Sequence, residues 1–187
     1  SWDNDSIEIT VPHGGQLNIQ RGDNGVMSET GITVTVGGPV VAVSPGGSIQ
    51  AAIDMANSGD LVLVPPGTYN ELVIMWKPVK LQGSGASTVI NAVKAPGEKL
   101  LAWRNAVESL ITNEQVDLLP AQELGFGLPE PDTLNTEEGP GIIVLARDLP
   151  APLGGFGLVM NQPNARIDGL GVTGGDTGGG IFVNGYA

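Results

Sequence analysis

Cysteine is absent from the 187 residues, so no disulfide staples the fold. Histidine occurs once, at His13, which rules out a multi-histidine metal site; without cysteine partners it forms no zinc constellation. Pro12 before it and Gly14-Gly15 after it place His13 in an exposed loop. Basic residues are few: eight Lys and Arg, scattered singly, stand against 20 Asp and Glu for a net charge of −12. Such a chain repels a phosphate backbone, which removes nucleic acid from the expected partners; the acidity reads as solubility outside the cell. No apolar run approaches the ~18 residues of a transmembrane helix, and no signal-peptide pattern is present. Aromatics make up only 4% of the chain. An opening on Ser1-Trp2 rather than Met is expected of a mature or excised piece of a longer protein.

What is abundant is glycine, 29 residues, with 14 prolines, yet 41% of the chain is hydrophobic and falls into short periodic runs. That combination predicts many short strands divided by tight turns rather than disorder. The stretch Gly47–Ile90 shows it best. Ser48 is placed to cap a helix in which Ile49, Ala52, Ile53 and Ala56 form one apolar face, and Asn57-Ser58-Gly59-Asp60 ends it. Leu61–Val64 is too short and too β-branched for another helix. Pro65-Pro66-Gly67 turns the chain, and further strands are expected at Leu72–Trp76, Val79–Gly83 and from Thr88 to Ile90.

The pieces SIQAAIDMANSGDLVLVPPGTYNE, LVIMWKPVKLQGSG and STVINA resemble the N-terminal cap and first coil of right-handed parallel β-helix proteins, the pectin-lyase-like superfamily. The resemblance implies an all-β fold: a partial, single-stranded right-handed β-helix of about three coils, with an N-terminal cap helix and one helical insertion. It does not imply one activity, because the superfamily holds lyases, hydrolases, epimerases and non-catalytic surface proteins.

Around this stretch, residues 1–45 read as a small β segment or a linker from a preceding module, with alternation at Ser6–Val11, Gln16–Gln20 and Gly31–Gly38. Residues 46–187 read as the N-terminal part of the β-helix. Arg21-Gly22-Asp23 spells an adhesion tripeptide in an ordinary turn context. The insertion is expected over 96–140. It begins as a helix from Pro96 to about Ile111, with Leu100, Trp103, Val107 and Leu110 or Ile111 on one face, and continues from Val116 to Pro140 as an acidic, proline-broken loop. Strand rhythm resumes at Gly141–Ala146, Phe156–Met160, Ala165–Gly175 and Gly179–Gly185. Here the resemblance implies an inward aliphatic ladder of Ile167, Leu170, Val172, Ile181 and Val183.

No residues present themselves as catalytic, cofactor-binding or metal-ligating. Lyases of this superfamily carry clustered aspartates for calcium and an arginine base, and its hydrolases carry neighbouring aspartates; neither pattern is found. Arg166 and Asp168 alternate onto one side of a strand as a surface ion pair. Asp176 is a weak option for calcium, one carboxylate where about six to eight oxygens are needed. The expectation is a non-catalytic structural portion of a large secreted or cell-surface bacterial protein. Its partner is the continuation of the same polypeptide, or another subunit, at the C-terminal open end. The alternative is the N-terminal fragment of a carbohydrate-active enzyme whose active site lies in further coils. Polysaccharide is a second partner class; a glycan-binding module would use Trp76 and Trp103, although core packing explains both.

Overall fold

The structure is a computed structural model and describes residues 8–28, 31–125, 133–135, 139–147, 165–175 and 178–184. The chain divides into two compact units, Ser1–Pro39 and Val40–Ala187. In the first, β1 (Gly15–Leu17) pairs antiparallel with β2 (Ile32–Val34), and an antiparallel bridge joins Gln20 to Met27. Of the alternating run Ser6–Val11, the described residues from Glu8 onward form no strand, and Ser6 and Ile7 lie outside the described residues. A unit this small buries too little apolar surface to hold every alternating run in a sheet.

The second unit is mainly β, with its strands in parallel sheets. Among the described residues two α-helices accompany them. A short strand β3 (Val40–Ala42), which lies before the expected 45/46 boundary, precedes helix α1 (Ile49–Met55). Then come β4 (Leu61–Leu63), β5 (Gly67–Tyr69), β6 (Val73–Met75), β7 (Lys80–Gln82) and β8 (Thr88–Asn91). Helix α2 (Gly97–Thr112) is followed by β9 (Glu123–Gly125), β10 (Thr133–Asn135), β11 (Ile142–Leu145), β12 (Arg166–Asp168), β13 (Gly171–Thr173) and β14 (Ile181–Asn184). Apart from β9 and β10, which pair with each other, these strands fall into three sheets: sheet A in the order β3-β4-β7-β12, sheet B as β5-β8-β13, and sheet C as β6-β11-β14. The chain therefore visits A, B and C in rotation, and does so three times: β4-β5-β6, then β7-β8-β11, then β12-β13-β14. Every pairing within these sheets is parallel.

Alternation within such short strands sends one set of side chains into the space between the sheets. In-register columns result. Val41, Val62, Leu81 and Ile167 stack in sheet A; Tyr69, Ile90 and Val172 in sheet B; Val73, Ile142 and Ile181, with Met75, Val144 and Val183, in sheet C. The first two circuits of these columns make the main core, while Ile167, Leu170 and Val172 of the third pack against it half-buried. At the A-to-B corner Gly83 and Gly169 lie against each other: a Cβ on Gly83 would collide with the Gly169 carbonyl oxygen, and Gly169 itself has φ +61°.

The insertion leaves at the B-to-C corner of the second circuit, where the first circuit spends only Asn70–Leu72. Trp103 and Val107 of α2 pack with Ile74, Ile143 and Leu145 on the outer face of sheet C, as the helical periodicity predicts. The expectation of a loop over Val116–Pro140 is corrected: β9 and β10 pair in parallel, and Val116 and Leu134 are buried in this second core. Prolines and acids interrupt the segment, but its apolar residues, Val116, Leu118, Leu124 and Leu134 among them, dock it in the core that α2 shares with sheet C. The expected strand Phe156–Met160 lies outside the described residues.

Candidate functional site

The first-circuit end of the sheets is sealed by α1. Ser48 is the helix N-cap: its Oγ accepts from the Ala51 N–H at 3.1 Å. Ile49, Ala52, Ile53 and Ala56 all turn into the main core. The lock itself comes from a residue 23 positions along, Glu71. Its carboxylate accepts from the Ile49 N–H at 2.9 Å, the Gln50 N–H at 3.0 Å and the Ser48 hydroxyl at 2.9 Å. An anion there satisfies donors that the first helical turn leaves without intrahelical partners. Gln50 then acts as a strand surrogate: its Oε1 accepts from Ile74 N at 2.7 Å and its Nε2 donates to Ile74 O at 3.1 Å. The free edge of β6 is thus occupied by a side-chain amide.

The other end of α1 is held by Lys77, whose Nζ donates to the carbonyl oxygens of Asp54 at 2.8 Å and Ala56 at 2.6 Å. Lys77 also lies 4.3 Å from the centre of the Trp76 ring. Burial lowers the Lys77 pKa, opposed by the charges of Asp54 and Asp60. Trp76 Nε1 donates to Asp54 Oδ1 at 2.8 Å. Tyr69, beside Ser48 and Glu71 at the first-turn side, is buried with its hydroxyl donating to Pro65 O at 3.0 Å, and burial, then the Glu71 charge, raises its pKa.

Two shallow grooves flank the seal. One, of about 300 Å³, runs between α2 and the first circuit, lined by Gln50, Asn70, Leu72, Lys99, Trp103 and Ala106 among others. The second, of about 360 Å³, lies between Gly46–Ser48 and Thr68–Glu71. Their polar groups are engaged in holding the fold: Gln50 on Ile74, Glu71 on α1, and Lys99 Nζ on the Asn70 carbonyl at 3.1 Å. Trp103 Nε1 is buried without a hydrogen-bond partner; its side chain packs in the second core and also lines the first groove. Among the described residues no pair of carboxylates lines either groove; in the second, the Ser48 hydroxyl meets the Glu71 carboxylate, which is already engaged by the Ile49 and Gln50 amides.

The third-circuit end is the opposite case. β14 pairs with β11 residue for residue, Ile142 with Ile181 and Val144 with Val183. Yet Ile181, Phe182 and Val183 are 48%, 43% and 56% exposed, whereas the residues beneath them are buried. The buried Asn184 is held by a double amide pair with Gln122 of the insertion, both bonds 3.0 Å.

The residues singled out in the sequence are spread over the molecule rather than gathered. His13 is exposed. Arg21 and Asp23 form a two-bond ion pair with each other at 2.7 and 3.1 Å in an exposed turn. Arg166 donates through Nη2 to Gln82 Oε1 at 2.8 Å, reaching to the circuit below. Trp103 is buried and Trp76 half-buried, so neither offers an open aromatic platform. Asp176 lies outside the described residues. Among the described residues no three His, Asp or Glu side chains gather as a metal-binding group, and no helix is long and apolar enough to cross a membrane. The roles of Glu71 and Gln50 were missed in the sequence. The signal for Glu71 was its place just after the Pro-Pro-Gly-Thr-Tyr turn.

No family profile, no curated protein and no solved structure matches the chain.

Proposed function

We propose that the chain is the N-terminal part of a right-handed, single-stranded parallel β-helix of the pectin-lyase-like kind. It serves as a non-catalytic structural portion of a large secreted or cell-surface bacterial protein. The observation that carries this reading is the threefold rotation of the chain through sheets A, B and C with in-register apolar columns. Stacked circuits of this kind bury their apolar faces only against their neighbours, so the structure is extended by adding circuits. The sealed first-circuit end supports a role as the starting cap of such a stack, and the exposed β14 supports a partner at the other end: further polypeptide of the same protein or another subunit. The polar groups around both grooves are spent on the fold, which favours a scaffold over an enzyme. The test is an assay of the purified chain on acidic and neutral polysaccharides, with and without calcium. No unsaturated sugar and no new reducing end is expected; calcium-dependent release of either would overturn the reading.

A further inference from the structure

We infer that the third-circuit edge is a one-way acceptor for a polypeptide strand added parallel and in register to β14, with aliphatic side chains at two alternate positions. The inference rests on the stacked-circuit reading above and specifies its partner. Each column names its own next member. Val73 is covered by Ile142 and Ile142 by Ile181; Met75 is covered by Val144 and Val144 by Val183, always by a parallel strand without offset. Continuing that interface means another parallel strand, whose alternate residues would close over Ile181 and Val183. An edge strand with unpaired backbone groups adds such a segment through main-chain hydrogen bonds, and the side-chain positions supply selectivity.

The first-circuit end of a second copy does not fit this description. There the edge of sheet C is taken by the Gln50 amide, and Ile49 and Ile53 pack in the core with Val73 and Met75. A second copy therefore cannot continue sheet C with its first end, as a two-ended stacker that propagates into a filament would. The charge of −12 further disfavours pairing two copies through their open ends.

The test uses the whole 187-residue chain and, as probe, a peptide of the chain's own second-circuit strand, Gly141–Ala146, between uncharged polar flanks. Saturable one-to-one binding is expected, with slowed amide exchange confined to β14. A scrambled peptide should not bind. Replacing Ile181 and Val183 together by Lys should weaken binding by about tenfold or more, because the columns would then end in charge. Val40→Lys, at an equally exposed apolar position of the other end, should leave binding unchanged. If the double variant does not fold, Val183→Ser serves in its place. Absence of saturable binding by the folded monomer, or binding insensitive to these substitutions, overturns the inference. So does a dimer by light scattering that buries β14 against a second copy. Amide exchange of the chain alone separates the two readings: unprotected β6 and β11 would sink the stacked circuits themselves, whatever the peptide does.

Discussion

The two ends of the stacked sheets are built from the same columns and end differently. At the first circuit, Val73 and Met75 lie under α1 and are wholly buried; at the third, Ile181 and Val183 occupy the equivalent positions and stand half in solvent. The difference is not one of strand composition, since both ends present β-branched or flexible apolar residues in the same register. It comes from what is laid across them. A seven-residue helix is too short to be stable alone, so its fixed place depends on tertiary bonds: Glu71 on its first turn, Gln50 on β6, Lys77 on its last carbonyls. A sealed end is therefore a network of distant partners, whereas an open end is what strand pairing leaves by itself.

The comparison breaks most visibly in its core residues. Ile53→Ala at the sealed end should cost about 2–5 kcal/mol, from lost burial and the cavity left behind. Val183→Ala at the open end should cost less than about 0.5 kcal/mol, as substitutions at exposed positions do. Paired denaturant titrations read both. A sealed-end loss under half a kcal/mol, or equal losses at the two ends, would show that α1 does not close the core.

Glu71 comes next. Its carboxylate serves three donors of α1 and Ser48, and a hydrogen bond to a charged group is worth about 1.5–3 kcal/mol. Glu71→Ala should lower stability by roughly that amount and loosen α1, seen as faster exchange of the Ile49 and Gln50 amides. Glu71→Gln, which keeps an acceptor but not the charge, should fall between. Unchanged exchange at those two amides in Glu71→Ala would remove the lock from the argument.

A smaller effect is expected at Gln50. Gln50→Ala leaves Ile74 N and O to water, at a cost of about 1 kcal/mol, but converts the β6 edge into an open one. The variant should then gain at its first end the strand-accepting property of β14, seen as concentration-dependent association by light scattering. A variant that is as monomeric as the parent would mean the helix body, not the amide, guards that edge.

These residues also mark how far the sequence could be read. Ser48, Ile49, Ile53 and the run of short strands were legible because each depends on neighbours within one or two turns of chain. Trp103 and Val107 were legible for the same reason. Glu71 and Gln50 were not, since their partners lie more than 20 residues away and a carboxylate after a turn reads equally well as solvated surface. The inward ladder of Ile181 and Val183 was implied by the resemblance alone, and their exposure depends on what lies above them, which the local sequence does not encode. β9 and β10 were hidden by proline and acid in a segment whose few apolar residues, Val116 and Leu134 among them, do the docking.

The smallest effect concerns alkaline pH, where two groups at the sealed end pull in opposite directions. Lys77 has a pKa lowered below its ordinary 10.5, chiefly by burial. Between that lowered value and 10.5 the unfolded chain holds a proton that the folded chain has released, so this group's penalty fades and stability rises with pH. Tyr69 has a pKa raised above its ordinary 10.0, first by burial and then by the Glu71 charge. Above 10.0 the unfolded chain loses its phenolic proton first, so the contribution of Tyr69 is full below that pH and is lost as pH rises through the folded value. The parent should therefore show a shallow slope near pH 10, the two contributions opposing each other. Lys77→Met should deepen the alkaline decline, and Tyr69→Phe should relieve it. Stability measured against pH for the three proteins decides the matter: if Tyr69→Phe declines as steeply as Lys77→Met, the buried phenol does not carry the loss and the sealed end is not the part of the molecule that senses alkaline pH.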